Sequence, residues 1–285
     1  MVSTLVQGLT KMLEKLYLRS RNRPWLYRVY LLLRLPSILP ALVSNEGIFG
    51  ALRWLRCRIT FLRGREIAEF DSRFGFRISR MIEFAVYDEI FLQRVYDFKA
   101  LGVVLGKGPV RVIDFGAHHG LFIDFVRWRN PNTEVFAAEM NPGPCQRAKS
   151  RFASRPDTHI VNVAIGGWDR KAHVSAATVS TEQSLYGGEG SIEVQVVTPV
   201  EFAQTQGIGG LESALVKMDI EGAEHEVFER PEVIKPLLDL TRGVVMEIHT
   251  PEDVVMITDK LGAWGFELSE IRGTNRLYVK KSLVK

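Results

Sequence analysis

The sequence predicts an α/β fold, in which a mostly parallel sheet carries helices on both faces and follows an N-terminal helical extension. Three observations favour it. From residue 110 onward, short apolar runs alternate with amphipathic helical patterns, the order typical of parallel strands joined by helices. A glycine-rich turn separates the first of these runs from the first helical pattern. The N-terminal 65 residues instead repeat apolar residues at helical spacing.

The bulk composition is that of an ordinary globular protein. A chain of 285 residues can hold one full α/β domain plus an extension, and 46% hydrophobic with 25% charged residues predicts a packed core. Only two cysteines occur, Cys57 and Cys145, which is too few for a disulfide framework. A reducing compartment, the cytoplasm, is the simplest expectation.

Charge divides the chain into two parts. Residues 1–65 contain 12 Lys and Arg against 2 acidic residues, a net charge of +10. The remaining residues contain 25 basic and 31 acidic side chains, a net charge of −6. We therefore predict a basic amphipathic helical extension over 1–65 and an α/β domain over 66–285.

The extension is predicted to be neither a secretory signal nor a membrane span. Its basic residues are spread through the apolar stretch, unlike those of a signal peptide. The longest uncharged apolar run, 35–45, is about half the length of a membrane span, and Pro36 and Pro40 are predicted to break it. Three interpretations stay open: an interfacial segment on the anionic inner face of a membrane, a helical cap on the domain, or a homodimer contact. The aliphatic content argues against nucleic acid.

A βαβ unit forms the centre of the predicted domain. Val110–Phe115 is a buried strand, Leu121–Arg129 a helix, and 134–138 the next strand. A hairpin over 71–78 and a helix over 81–96 are predicted to precede it. The turn between the first strand and the helix contains two glycines, which let the backbone approach a ligand closely.

The acidic residues around this turn indicate the ligand. Glu139 follows Gly120 by 19 residues and ends the second strand, where a carboxylate can accept hydrogen bonds from both ribose hydroxyls of a nucleoside. Asp114 precedes the turn, and the middle glycine of the dinucleotide pattern is missing. A negative charge there repels a pyrophosphate but suits the amino group and sulfonium of S-adenosylmethionine, so a nicotinamide oxidoreductase is not expected. The predicted cofactor contacts are Asp114, Gly116, Ala117, His118, Gly120, Glu139, Met140, Asn141, Ala164 and Asp219.

Four ionisable residues are predicted to meet at two further strand ends. The apolar runs 214–219 and 243–249 are interpreted as the fourth and fifth strands, after a third over 159–164 and two shorter ones over 171–175 and 191–197. Ligands of such sheets bind off the carboxyl ends of the strands. The four residues are Asp219, Glu221, Glu247 and His249.

Several motifs together resemble one known family. The segment 112–120 reads Val-Ile-Asp-Phe-Gly-Ala-His-His-Gly, and 217–224 reads Lys-Met-Asp-Ile-Glu-Gly-Ala-Glu; the segments 138–142, 164–166 and 247–249 complete the pattern. In order and spacing they resemble the FkbM-type methyltransferases over roughly residues 80–270. The resemblance implies a Rossmann-like class I methyltransferase fold with a seven-stranded sheet, closed by antiparallel strands over 264–279. It also implies S-adenosylmethionine as cofactor and a sugar hydroxyl of a glycan, glycolipid or glycosylated metabolite as acceptor, which a lipid-linked sugar would satisfy.

The same residues predict the chemistry. A sugar hydroxyl is a weak nucleophile that benefits from a base, and His249 is the first candidate because its ordinary pKa is near neutrality. Asp219 is the second candidate for the base, or else holds the acceptor or the cofactor amino group. Glu221, the third predicted catalytic residue, is expected with Glu224 to orient Lys217 or the acceptor hydroxyls. The resemblance implies acceptor contacts at Ser184, Tyr186, Glu224 and Glu247.

Other interpretations stay open at this stage. His249 could instead be a core histidine bonded to backbone, and with Asp219 and Glu221 it could hold a divalent ion, although no metal is predicted. Methylation of nucleic acid or another small molecule, or a non-catalytic membrane-associated binding role, are the alternative functions. No nucleic-acid partner is expected, because the chain lacks an Asn-Pro-Pro-Tyr-like catalytic motif.

Overall fold

The computed structural model describes residues 24–63, 67–174, 192–248 and 250–283. The chain divides into two compact units, Met1–Gln93 and Arg94–Lys285. The sequence predicts this division at residue 65. The difference arises because the segment between residues 67 and 93 packs on the N-terminal helix, where Phe84 contacts Trp54 and Phe70.

The first unit combines one long helix with a hairpin and a short helix. Its elements are α1 (Pro24–Leu62), β1 (Ile67–Asp71), β2 (Arg77–Arg80) and α2 (Met81–Tyr87), followed by a π-helical turn, Asp88–Leu92. The antiparallel pairing of β1 and β2 confirms the predicted hairpin. The helix predicted over 81–96 is shorter than expected, because the chain leaves helical geometry after the π-helical turn.

The prediction that Pro36 and Pro40 break the first helix is wrong. Helix α1 continues through both prolines, and its one non-helical residue is Gly47, with φ 72° and ψ 173°. Both prolines are exposed, so water can reach the carbonyl groups that lack a proline N–H partner. Gly47 adopts a positive φ that a side chain would disfavour, so the bend lies there.

The second unit contains a seven-stranded sheet. Its strands are β3 (Val110–Phe115), β4 (Thr133–Ala138), β5 (Thr158–Val161), β9 (Ser213–Met218), β10 (Thr241–Glu247), β11 (Phe266–Arg272) and β12 (Asn275–Lys280). Their order across the sheet is β11–β12–β10–β9–β3–β4–β5. Strands β10, β9, β3, β4 and β5 are parallel, whereas β12 and β11 are antiparallel to their neighbours. This confirms the predicted mostly parallel sheet and its antiparallel closure.

Helices flank this sheet, and its central strands are buried. Val112, Val216 and Val244 are fully inaccessible, as expected for parallel strands covered on both faces. The helices are α3 (Leu101–Leu105), α4 (Leu121–Arg129), α5 (Pro142–Arg151), α6 (Pro199–Thr205), α7 (Glu224–Glu229), α8 (Pro231–Asp239) and α9 (Pro251–Ala263).

The third predicted strand, 159–164, is in fact two strands in different sheets. Strand β5 ends at Val161, and β6 (Ala164–Ile165) joins a separate sheet in the order β6–β8–β7, with β7 at Arg170–Val174 and β8 at Ile192–Val197. The Asn162 amide donates hydrogen bonds to the carbonyls of Glu139 and Met140, at 2.8 and 2.9 Å. This side chain fixes the point at which the chain turns out of the large sheet.

The sequence after β9 favours a helix over 220–229, but the helix in the structure begins four residues later. Glu221 and Gly222 have φ values of 56° and 95°, which a right-handed helix cannot contain. They form a turn after β9, and α7 begins at Glu224. This turn carries one of the predicted catalytic residues.

Candidate functional site

The glycine turn after β3 is built so tightly that its first residue admits no side chain. A Cβ placed on Gly116 would lie 1.9 Å from the carbonyl oxygen of Asp219, and φ there is 88°. The amides of Gly116 and Ala117 both donate to the carbonyl of Ala138, at 2.9 and 3.0 Å. At the end of the turn, a Cβ on Gly120 would lie 2.6 Å from the Phe152 ring. The turn is therefore hydrogen-bonded to the end of β4 and packed closely against the residues that follow β9 and α5.

The end of β4 presents the carboxylate predicted to hold a ribose. One oxygen of Glu139 accepts from the amide of His118 at 2.7 Å, and the other accepts from the amide of Asn141 at 2.8 Å. A carboxylate oxygen has a second acceptor position, so both remain able to accept a hydroxyl. Burial raises the pKa of Glu139 to about 7, although its two backbone hydrogen bonds oppose the shift. Glu139 therefore changes protonation near neutral pH.

A buried ion pair lies beneath the turn. Asp114 is completely inaccessible, and the Lys217 ammonium lies 3.3 Å from its Oδ1. Lys217 also donates to the Gly116 carbonyl at 2.6 Å and lies 3.4 Å from Asp219 Oδ2. Burial lowers the pKa of this lysine, but Asp114 and Asp219 outweigh burial and raise it. Burial raises the pKa of Asp114, and Lys217 opposes the rise.

The pairing of Lys217 with Asp114 is the feature of the site that the sequence did not predict. Asp114 was predicted to offset a cationic ligand group, yet its nearest counter-charge is this lysine. A signal was present in the sequence, because Lys217 is the one charged residue in the otherwise apolar run 214–218. A charge in a buried strand requires a partner, and Asp114 is on the neighbouring strand.

Three carboxyl groups meet beyond the ends of β9 and β10. The amide of Asp219 donates to the Phe115 carbonyl at 3.1 Å, and its carboxylate is 24% exposed. Burial raises the pKa of Glu221 to about 9, helped by the charges of Asp219, Glu247 and Glu224. Glu221 is therefore protonated at neutral pH and can donate a hydrogen bond. Glu247 ends β10 and accepts from the Thr274 hydroxyl at 2.7 Å.

Glu224, one of the predicted acceptor contacts, lies behind this group. It is buried, and its two oxygens accept from the amides of Ile220 and Gly222, each at 2.9 Å. Glu224 thus fixes the turn that holds Glu221 at its positive φ. Strained backbone of this kind is commonly found at functional sites.

The structure places the remaining predicted residues as follows. Asn141 caps α5 by accepting from the Gly143 amide at 3.1 Å, Met140 is half-buried beside it, and Ala164 is buried in β6. His118 has a φ of 50°, and its Nδ1 lies 3.0 Å from Nδ1 of His119. Three predicted residues, Ser184, Tyr186 and His249, lie outside the described residues. Among the residues that are described, no group of three or more His, Cys, Asp or Glu is arranged to hold a metal ion.

Comparison with known proteins gives one domain match and several distant structures. The methyltransferase FkbM domain matches residues 114–268. The chain is similar to precorrin-6y C5,15-methyltransferase from Geobacter metallireducens GS-15, with 11% identity and a TM-score of 0.38 over 66% of this chain and 85% of that one. It is also similar to the METTL16 MTase domain, with 13% identity and a TM-score of 0.45 over 81% of this chain and 79% of that one. A third similar structure is M. capricolum TrmK in complex with its cofactor product S-adenosyl-homocysteine, with 9% identity and a TM-score of 0.36 over 64% of this chain and 66% of that one. No curated protein sequence matches significantly. Because these TM-scores are low, the family assignment depends on the domain match.

The residues of the turn fit the methyl donor of that family. The Glu139 oxygens retain acceptor positions for hydroxyl groups, and Asp219 leaves a negative charge near the Asp114–Lys217 pair. When bound, the donor supplies a methyl group on a positively charged sulfur. The matched region contains Asp114, Glu139, Asp219 and Glu247 and spans more than half of the chain. The protein therefore belongs to the FkbM methyltransferase family and is an S-adenosylmethionine-dependent methyltransferase.

Proposed function

We propose that the protein methylates a sugar hydroxyl of a glycan, glycolipid or glycosylated metabolite. The observation that carries this proposal is the meeting of Asp219, Glu221 and Glu247 at the ends of two adjacent parallel strands. Carboxylates accept hydrogen bonds from hydroxyl groups, which sugars present at high density. The negative charges of Asp219 and Glu247 disfavour a phosphate backbone, and residues 66–285 carry a net charge of −6. The acceptor side therefore favours a neutral, hydroxyl-rich molecule over nucleic acid.

The carboxyl groups divide into different roles. Glu221, with its pKa near 9, is protonated at neutral pH, so it orients an acceptor oxygen by donating a hydrogen bond rather than by removing a proton. We assign the base to His249, two residues beyond the end of β10, with Asp219 as the second candidate. Glu247, and Ser184 and Tyr186 in the segment between β7 and β8, are the proposed acceptor contacts. Holding the acceptor oxygen in line with the methyl group contributes roughly 7–11 kcal/mol through positioning alone.

The acceptor is tested by labelled methyl transfer. The purified protein, given labelled S-adenosylmethionine, is incubated with fractionated glycolipids, soluble glycans and RNA from cells. Incorporation into a sugar-containing fraction, with a methyl ether identified by mass spectrometry, is expected. Incorporation into RNA alone, or into a fraction without sugar, contradicts the proposal.

The base is tested with a matched pair of histidine variants. His249→Ala is expected to lower turnover about 100-fold or more while the affinity for S-adenosylmethionine, measured by calorimetry, stays unchanged. His173→Ala, at an exposed position of β7, is the control and should retain turnover. Full activity of His249→Ala would transfer the role to Asp219.

We also propose that the protein works in the cytoplasm at the inner face of a membrane, on a lipid-linked sugar. The net charge of +10 over residues 1–65 supports peripheral attraction to anionic lipid, where each basic residue contributes about 1 kcal/mol. A homodimer through the same segment is the alternative.

A further inference from the structure

The part of α1 that follows Gly47 exposes large apolar side chains. Phe49 is 84% exposed, Ile48 67%, Leu52 58% and Ile59 47%. A soluble protein exposes single apolar residues routinely, but four on fifteen residues of one helix indicate an interaction surface.

The two sides of this helical segment differ in what they contact. Ala51, Trp54 and Arg58 recur at helical spacing and are buried. A second set of residues at the same spacing is exposed. We call this set the outer face, and it consists of Ile48, Phe49, Leu52, Arg56, Ile59 and Arg63. The outer face therefore combines apolar and basic side chains that are exposed in the described part of the chain.

Helix α1 is held by the first unit too firmly to cross a bilayer. Within the described residues, Leu35–Thr60 is long and apolar enough for a membrane span by length and composition, a longer stretch than the run predicted from sequence. However, Glu46 is buried and accepts from the hydroxyls of Ser72 and Tyr87, each at 2.6 Å. Arg58 is buried in an ion pair with Asp88. Crossing a bilayer would break these buried pairs. The segment is therefore suited to lie along a membrane surface, with one side packed against the protein.

We propose that the outer face of α1 docks on the surface of an anionic lipid bilayer. Phe49, Ile48 and Leu52 would enter the headgroup region, while Arg56 and Arg63 would remain at the level of the lipid phosphates. A second copy of the chain is a poorer occupant, because a symmetric contact through this face would bring Arg56 and Arg63 of both copies together. Nucleic acid is a poorer occupant because it offers nothing to cover the exposed apolar side chains.

Vesicle flotation with the full-length protein tests the surface. The vesicles contain phosphatidylcholine with or without phosphatidylglycerol. The triple variant Ile48→Ser, Phe49→Ser, Leu52→Ser is expected to reduce the vesicle-bound fraction at least about tenfold. The matched control is Val103→Ser with Val255→Ser, because these side chains are 61% and 62% exposed in the second unit; it should float like the native protein. Circular dichroism and the affinity for S-adenosylmethionine verify that each variant is folded.

The charge of the outer face has its own test. Arg56→Gln with Arg63→Gln should weaken the preference for vesicles containing phosphatidylglycerol roughly 30-fold, while binding to phosphatidylcholine persists. Native protein that fails to float, or a triple variant that floats like the native protein, overturns the proposal. Light scattering tests the alternative that a second copy of the chain covers the outer face. A triple variant that changes from dimer to monomer and still floats with vesicles would support that alternative and contradict membrane docking. Because cofactor affinity is measured separately, none of these outcomes bears on the methyltransferase site.

Discussion

Removal of the buried ammonium group is expected to destabilise the centre of the sheet. In Lys217→Met the apolar stem is retained and the charge beside Asp114 is lost. At 3.3 Å and an effective dielectric constant of about 20, that attraction is worth roughly 5 kcal/mol, part of which is offset by the cost of burying both charges. We therefore expect a loss of about 3–5 kcal/mol in the free energy of opening β3 and β9, since Asp114 is left buried and unpaired.

Hydrogen exchange followed by mass spectrometry measures this loss strand by strand. The control is Lys235→Met, the same substitution in an exposed pair whose Nζ–Oδ2 distance to Asp239 is only 2.6 Å. Despite the shorter distance, the control should lose no more than about 0.5 kcal/mol, because solvent screens the pair. Burial rather than distance thus determines the expected difference.

The stability of Lys217→Met should depend on pH with a definite sign. Burial already raises the pKa of Asp114, and loss of Lys217 raises it further, so the folded state binds the proton more tightly than the unfolded state. The stability of Lys217→Met should therefore be recovered as the pH falls and lost as it rises. The double variant Lys217→Met with Asp114→Asn should be more stable than Lys217→Met at neutral pH. Equal protection of Lys217→Met and the native protein, or no recovery in the double variant, would refute the reasoning.

Three further predictions concern the cofactor turn. Affinity for S-adenosylmethionine should rise as the pH increases through about 7, where Glu139 ionises. Glu139→Gln should bind S-adenosylmethionine roughly 10- to 100-fold more weakly, and its affinity should not depend on pH in this range. Calorimetry between about pH 5.5 and 8.5, values chosen to bracket the pKa of Glu139, tests both predictions. Gly116→Ala should lower the thermal midpoint by at least about 6 °C and abolish cofactor binding, because its Cβ would meet the Asp219 carbonyl. Gly262→Ala, in the interior of α9 with nothing within 4 Å, should change the midpoint by less than about 2 °C; a similar loss in both variants would contradict the steric argument.

The strand–helix–strand unit that carries Gly116 and Glu139 was predictable because its signals are local. Gly116 and Glu139 are separated by one strand–helix–strand unit, and turn chemistry with strand patterning places them without knowledge of distant contacts. The observed hydrogen bond from the His118 amide to Glu139 closes that unit. The mostly parallel seven-stranded sheet and its antiparallel closure followed from the family resemblance, together with the rule that parallel strands need crossover connections.

What the sequence did not predict depends on contacts between distant segments. The pairing of Lys217 with Asp114 joins residues about a hundred positions apart, and only the sheet order makes them neighbours. The start of α7 depends on Glu224 binding the two amides of a turn, which a helical pattern cannot reveal. The end of β5 depends on the Asn162 amide reaching two carbonyl groups after β4. Tertiary contacts override local propensity in each case.

Because β6, β7 and β8 form a sheet of their own, the connection between β7 and β8 can be changed separately from the large sheet. The residues between Val174 and Ile192 connect two strands that pair only with each other and with β6, so their length and identity can change without altering the register of the seven strands that carry the donor site. Grafting this connection from one family member into another therefore tests the proposed acceptor contacts without redesigning the seven-stranded sheet.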